Sequence, residues 1–518
     1  MSDSQATSTP PPLQDDTRSI TSAAGLIGAA TFSSRILGFI RDMVLAQLFG
    51  ASATADAFYV AYRIPNLLRE LFAEGSMSAA FIPVFTEYHT TRSKQDTWEL
   101  ASAAFTTLLT LVTLVTILGI MAAPSLVWLL APGFHDEAAK LATTTLLTQI
   151  MFPYLLFVSL AALAMGILNS LRAFAIPALA PVFFNMLVIS FAVFGTPFFD
   201  QPIMAVGIGI VVGGLAQFLM QLPALQKRGF LFSWRFQPHH PGVKQMGRLI
   251  IPTLLGLSVT QINLTVNTIL ASYFEGGPTY LFYGMRLIQF PLGIFGVALA
   301  TAILPTLSRH AANRAMDDLR DTVNYGIRMI LFIILPAMLG LMLLGEFIIH
   351  LCFEHGSFTA DDTAGTTAAL FAFSTGLWAF AGYRILAAAF YSLQDTKTPA
   401  IAAVVGMCAN VALALILMQS LEYVGLALAT ACASMLNVSI LMIILNRRLD
   451  GLHWARLVQS IGRTLLALIP LGLVCLWVSR LEIWEQSGFF PMKVSILTTG
   501  IGLSALGYFG AHWLLRSE

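Results

Sequence analysis

The stretch SSRILGFIRD, residues 33–42, puts Arg35, Arg41 and Asp42 between apolar runs. A second run, ADAFYVAYRIPNLLRELFAEG, carries Asp56, Arg63, Asn66, Arg69, Glu70 and Glu74, and a third, YGMRLIQFP, carries Tyr283, Arg286 and Gln289. On an α-helix Arg35 and Asp42 are nearly eclipsed, with Arg41 about 100° away. Asp56, Arg63, Asn66, Glu70 and Glu74 fall on one stripe with Arg69 beside it. Tyr283, Arg286 and Gln289 recur at i, i+3 and i+6. The fixed fork of a guanidinium suits phosphate and carboxylate. Arg35, Arg41, Arg69 and Arg286 are therefore the candidates to bind an anion. Asp42, Asp56, Arg63, Asn66, Glu70, Glu74 and Gln289 are candidates to support them. The competing reading is interhelical salt bridges for the acids, and snorkelling or local pairing for Arg63 and Arg384.

Signals for catalysis are poor. All nine histidines, from His89 to His512, fall at the ends of apolar runs or between them. There is no HExxH and no Gly-rich loop before a Lys that would cradle phosphate. Cys352, Cys408, Cys432 and Cys475 lack metal-ligand spacing and read as small core residues. GIGIVVGG, residues 207–214, is Gly-rich but lies in an apolar run, where close helix packing is the expected role. The sequence thus predicts no catalytic residue, no metal and no cofactor.

The elements that must carry these charges are membrane helices. Of the 518 residues, 57% are hydrophobic and 11% charged, where soluble domains usually carry about 25% charged. Apolar runs of roughly 18–25 residues match a hydrocarbon core of about 30 Å. The reading is an all-α polytopic membrane protein of fourteen transmembrane helices, at about 21–49, 55–89, 100–122, 145–170, 176–196, 203–222, 248–273, 279–309, 322–350, 362–391, 399–418, 423–446, 459–479 and 492–514. An arginine at the bilayer centre costs roughly 2.5–3.5 kcal/mol, so six facing lipid would cost on the order of 15–20 kcal/mol. That exceeds the roughly 5–15 kcal/mol stability of a typical domain, so most must face protein, water or headgroups.

Lys and Arg also set orientation. With the amino terminus inside, nineteen of the 28 fall on the cytoplasmic side, six lie in spans, and only Lys140, Arg480 and Lys493 lie opposite. Both termini are expected in the cytoplasm. No cleaved signal peptide is expected, because no charged n-region leads into a short apolar run and a cleavage site.

The chain repeats itself at about 222 residues. AAFIP ending at Pro83 matches TAILP ending at Pro305, Arg63 matches Arg286, and GFHDEAAKLATTTL from Gly133 resembles SFTADDTAGTTAAL from Ser357. Six helices per copy leave both copies in one orientation. The expected organisation is a disordered cytoplasmic tail at 1–20, an N-lobe at 21–226, a cytoplasmic linker at 227–247, a C-lobe at 248–446, and helices 13–14 at 447–518. The two pseudo-symmetric six-helix lobes would enclose a central cavity lined by the arginines.

SRILGFIRD, TADAFYVAYRIPNLLRELFAEGSMSAAFIPVFTEY, RLIQFPLGIFGVALATAILPTLSR and FYSLQDTKTP resemble the lipid II flippases of bacterial peptidoglycan synthesis, the MurJ or MviN family, over about residues 20–515. The resemblance implies the fold of the multidrug/oligosaccharidyl-lipid/polysaccharide exporter superfamily, with two further helices forming a groove for a lipid tail. It implies a substrate, lipid II (undecaprenyl-pyrophosphate-linked MurNAc-pentapeptide-GlcNAc). It also implies alternating access driven by membrane potential or an ion gradient, in the bacterial cytoplasmic membrane. Membrane lipids and the cell-wall synthesis machinery are the implied partners, and nucleic acid is not one. The family's cavity arginines correspond to Arg35, Arg41, Arg69 and Arg286, and its acids to Asp42, Asp56 and Glu74. Two features depart from the pattern. Met285 and Gln289 stand where some members carry acids beside the helix 8 arginine. Gln261, Asn263, Asn267 and Asn410 are neutral where some members use carboxylates for sodium. The alternatives are a flippase for another undecaprenyl-pyrophosphate-linked glycan, a cation-coupled drug exporter, and an intramembrane transferase.

Overall fold

The computed structural model describes residues 13–71, 76–484, 486 and 488–515, and for 13–24, 26, 76–79 and 252–257 it describes the backbone alone. Its helices are, in order, α1 (Leu13–Phe49), α2 (Ala53–Arg69), α3 (Ser76–Thr91), α4 (Lys94–Leu130), α5 (Ala138–Met151), α6 (Pro153–Ser170), α7 (Ala175–Ser190), α8 (Ile203–Leu219) and α9 (Leu222–Lys227). They continue as α10 (Pro241–Ala271), α11 (Gly277–Pro291), α12 (Val297–Ala312), α13 (Met316–Cys352), α14 (Ala360–Thr375), α15 (Leu377–Ser392), α16 (Lys397–Arg448), α17 (Trp454–Ser479) and α18 (Phe490–Leu514). One wide π turn, Phe191–Gly195, follows α7, and another, Leu292–Gly296, separates α11 from α12.

Among the described residues, nine helices are long and apolar enough to cross a membrane, and the pair α14–α15, bent by 41°, makes up to ten. The count is below fourteen partly because α16 enters once. Its 52 residues would run about 78 Å, more than twice the hydrocarbon core. It bends at Glu422, whose φ of 51° is outside the helical range. Helix also makes up most of each of the fourteen stretches expected from the sequence, with turns at Phe152, Met220–Gln221, Ser272–Tyr273 and Gly376 and the second described only outside residues 72–75.

The repeat survives in the backbone. The 37-residue helices α4 and α13 begin 222 residues apart and end 222 residues apart. So do the starts of α5 and α14. Prolines inside α4, α7, α12, α13 and α17 sit within otherwise helical runs, as membrane helices tolerate.

The chain divides into two compact units. The first runs to Val44 and takes in Leu68–Ile120 and Ile150–Leu254. Its core joins Phe81, Phe85, Leu100, Phe105, Leu163 and Phe230. GIGIVVGG packs here as expected: a Cβ on Gly209, Gly213 or Gly214 would come within 3.0 Å of Phe191, Phe184 or Tyr154. The second unit comprises Leu45–Leu67, Met121–Gln149 and Leu255 onward. In it α17 and α18 pack on each other and on α13, through Leu335, Leu344, Leu468, Leu471 and Tyr508. These units differ from the expected lobes. Residues 45–67 and 121–149, from the amino-terminal half, pack with the carboxy-terminal half, and the expected linker 227–247 packs as part of the first unit. Backbone contacts supply part of the reason. Gly50 and Gly356 both take positive φ, Ser357 N donates to Gln47 O at 2.8 Å, and Gly133 N donates to Ser272 Oγ at 3.1 Å.

Candidate functional site

In the first unit α1 carries the arginine pair. Arg41 donates Nε and Nη2 to Asp42 Oδ1 at 3.0 and 2.8 Å, and Nη1 to Asn185 Oδ1 at 3.2 Å. Asn185, on α7, is held in turn: its Nδ2 donates to Ser34 O at 3.2 Å and Pro181 O at 3.0 Å. Asp42 is fully buried and Arg41 keeps about one-seventh of its side chain exposed. Arg35, on the same helix, is exposed. The guanidinium of Arg41 is thus oriented on one side by a buried carboxylate and an amide, which fixes the direction of its fork. Arg69 ends α2, with Nη2 3.7 Å from Glu70 Oε1, both partly exposed. Glu74 lies outside the described residues.

The second unit holds the other predicted residues. Asp56 is fully buried. Its Oδ2 lies 3.2 Å from Lys140 Nζ and 2.9 Å from Gly276 N, and its Oδ1 accepts from Thr279 Oγ1 at 2.7 Å and Thr279 N at 3.3 Å. Lys140 is 5% exposed, with its ammonium 4.2 Å from the centroid of Phe134. A buried carboxylate is tolerable because a cation and three donors surround it. Tyr59 and Tyr283 share a hydroxyl–hydroxyl bond at 2.8 Å, and Tyr59 stacks on Phe282 at 4.2 Å. Arg63 Nη2 donates to Gln261 Oε1 at 3.3 Å, and Asn66 is buried. Arg286 is half-buried on α11 and Gln289 is exposed.

The structure therefore brings Arg41 together with Asp42, and Arg69 with Glu70, but groups Asp56, Arg63 and Asn66 with the second unit. The helix 2 stripe is shared between the units. Sequence reasoning missed Asn185, and it placed Lys140 only on the side opposite the termini, without seeing that it is the counterion of Asp56. One signal was present: Lys140 stands 222 residues before Asp362. That carboxylate does a matching job, accepting from Tyr280 Oη at 3.2 Å, Ala51 N at 3.4 Å and Thr359 N at 2.9 Å. Lys493, also counted outside, is 4% exposed and donates to Trp484 O and His350 Nε2.

The neutral residues expected near a cation site do meet. Asn410 Nδ2 donates to Asn263 Oδ1 at 2.7 Å and Asn267 Oδ1 at 3.0 Å, and Asn267 Nδ2 to Thr430 Oγ1 at 3.0 Å. A cavity of about 180 Å³ beside them is lined by Thr260, Asn263, Tyr383, Thr430, Ser434 and Asn437. The set does not fit a sodium ion of the carboxylate-bound kind. It offers no countercharge, and the oxygens of Asn263 and Asn267 already accept N–H.

The sequence profile of the family described as lipid II flippase MurJ matches residues 45–495. This chain belongs to the MurJ lipid II flippase family. It is 39% identical over 501 residues to a Vibrio cholerae serotype O1 protein called probable lipid II flippase MurJ, with 95% of each chain covered. It is 33% identical over 501 residues to the Burkholderia cenocepacia lipid II flippase MurJ, covering 94% of this chain and 96% of that one. Among solved structures it resembles a lipid II flippase MurJ in an inward closed conformation, with a TM-score of 0.76 and 26% identity over 95% of this chain and all of the other. An inward-facing multidrug transporter of the MATE family shares the fold alone, with a TM-score of 0.68 and 13% identity over 80% of this chain and 94% of that one. The family is one of transporters, not enzymes, and the chain is a multi-pass membrane protein.

Proposed function

We propose that this chain turns lipid II over from the inner to the outer leaflet of the bacterial cytoplasmic membrane, exposing its binding site alternately to the two faces. The observation that carries this reading is the oriented guanidinium of Arg41, on the same helix as exposed Arg35. A pyrophosphate accepts parallel charge-assisted hydrogen bonds, each worth roughly 1.5–3 kcal/mol. Arg35, Arg41, Arg69 and Arg286 bind the headgroup in this reading. Asp42 and Asn185 hold Arg41 in place. The chain crosses the membrane fourteen times with both termini in the cytoplasm, the bend at Glu422 dividing α16 into two crossings. The undecaprenyl tail stays in lipid along α17 and α18, whose outer faces bare Leu465, Leu466, Ile469 and Leu473 beside Leu503, Leu506 and Phe509. Membrane potential or an ion gradient drives the cycle.

The test is an assay of outer-leaflet lipid II in cells depleted of their own flippase and carrying this chain. Wild-type protein should restore exposure of unmodified lipid II. Arg41→Ala should abolish it, and Arg41→Lys, which keeps charge but loses the fork, should impair it severely. Restoration of another undecaprenyl-linked glycan but not of lipid II would sink the substrate assignment. Full activity of Arg41→Met would sink the anion site.

A further inference from the structure

The segment joining α9 to α10 carries FLFSWRF at residues 230–236, and it is not a loose connection. Gly229 turns the chain with a φ of +91°. Phe230 then buries itself, 5.4 Å from the ring of Trp98 and 5.8 Å from that of Phe105. Arg235 N donates to Thr106 Oγ1 at 3.3 Å, and Arg235 Nη1 pairs with Glu99 Oε1 at 2.7 Å. The strip thus runs along the first part of α4, a helix apolar and long enough to span. Its effect on α4 is visible: every residue from Leu100 to Thr106 is buried, whereas further on Leu111, Leu114 and Ile117 are at least half exposed. The strip packs on α4 at Trp98, Glu99, Phe105 and Thr106, in and just before the stretch where that helix is buried all round.

The strip's own outer surface is more apolar than a water-facing loop sustains. Leu231 is 76% exposed, Trp234 66%, Phe236 54% and Phe232 49%. At one end stand cations. Lys227 and Arg228 are exposed, and Lys94, at the start of α4, has its ammonium beside Gly229. Thr106 is about 18 Å along the helix from Lys94. The order along α4 is therefore cations, then aromatic side chains, then bare aliphatics. That is the order of a bilayer half: phosphates, the interface where Trp is enriched, then hydrocarbon.

We propose that residues 229–236 are an interfacial anchor, in which Leu231, Phe232, Trp234 and Phe236 insert among phospholipids at the boundary of headgroup and acyl chain while Lys227 and Arg228 meet the lipid phosphates. The partner is the lipid surface itself, not a protein. The anchor holds the chain between the repeats at a set depth and leaves only the residues beyond it free to flex. It does not depend on what the protein transports.

The test uses the full chain with its four cysteines replaced, reconstituted in phosphatidylcholine–phosphatidylglycerol vesicles, with one nitroxide on Trp234→Cys, Ser233→Cys or Ser93→Cys. Collision rates with oxygen, which favours lipid, and with a water-soluble nickel chelate are compared. The labels at 233 and 234 should collide more with oxygen than with nickel, and the label at 93 the reverse. A label at 234 that behaves like the one at 93 overturns the anchor. So does a label immobilised and shielded from both agents, which would mean that a protein surface covers the strip. Leu231, Phe232, Trp234 and Phe236 all replaced by serine, with Phe230 and Arg235 kept, should leave a monodisperse protein whose label at 233 shifts toward water. An unshifted label would mean that packing on α4 alone sets the depth, and the proposal would fail.

Discussion

Lys140→Met is the most informative perturbation of the buried charge in the second unit. The side chains of Lys140 and Asp56 are 3% and 0% exposed and 3.2 Å apart. At an effective dielectric of about 20 their attraction is about 5 kcal/mol. Removing the cation leaves a carboxylate whose remaining partners are Thr279 Oγ1 and the two amides of Gly276 and Thr279. Breaking such a pair from one side costs roughly 3–5 kcal/mol, because the other charge stays buried. Asp56→Asn should cost less. The ammonium would retain the face of Phe134 and Glu137, whose carboxylate lies 3.7 Å away and is half exposed. The double variant should recover much of the loss, giving a coupling energy of about 2–5 kcal/mol in a cycle of the four proteins. SDS-induced unfolding in mixed micelles, followed by tryptophan fluorescence, measures it. A coupling below about 0.5 kcal/mol would show that the pair does not hold these segments together, and the account of why residues 45–67 and 121–149 join the second unit would fail.

Gly133→Ala drives a Cβ into the backbone carbonyl of Ser272 and should destabilise by about 1–3 kcal/mol, while Gly382→Ala, whose nearest neighbour would be 3.9 Å away, should be neutral or slightly stabilising in the same unfolding assay. Asp395, in the turn before α16, is held below its ordinary 3.8 by hydrogen bonds from the side chain and backbone of Thr398 and by Arg448. Its contribution is therefore present above that value and lost as pH falls through the lower folded one, so the stability gap between wild type and Asp395→Asn should be open at neutral pH and close in acid. Tyr508→Phe removes the bond from Tyr508 Oη to Phe332 O, 2.7 Å, and should weaken attachment of α18 to α13 by about 1 kcal/mol, read as earlier proteolysis within 454–515.

Much of this protein was legible without coordinates. Apolar runs announce membrane helices because a bilayer demands about twenty unbroken apolar residues per crossing, a local property of the chain. The 222-residue repeat is equally plain, and α4 and α13 reproduce it at both ends. The cost of intramembrane charge marked six arginines, Arg35, Arg41, Arg63, Arg69, Arg286 and Arg384, as residues that must face protein, water or headgroups. What each charge touches could not be read, because pairing joins residues far apart in the chain. Arg41 meets Asn185 across 144 residues, and Asp56 meets Lys140 and Thr279 across 84 and 223. Lys140 therefore reads in the sequence only as a charge that counts toward orientation, and its role as the buried counterion of Asp56 comes from the fold. Likewise FLFSWRF resembled part of a linker. Only the packing of Phe230 and Arg235 on α4 turned its other four large apolar side chains outward. Composition and period fix which segments leave water, and the tertiary structure decides which polar groups then find one another, because a desolvated charge is stable only beside partners that the fold alone brings within about 3 Å.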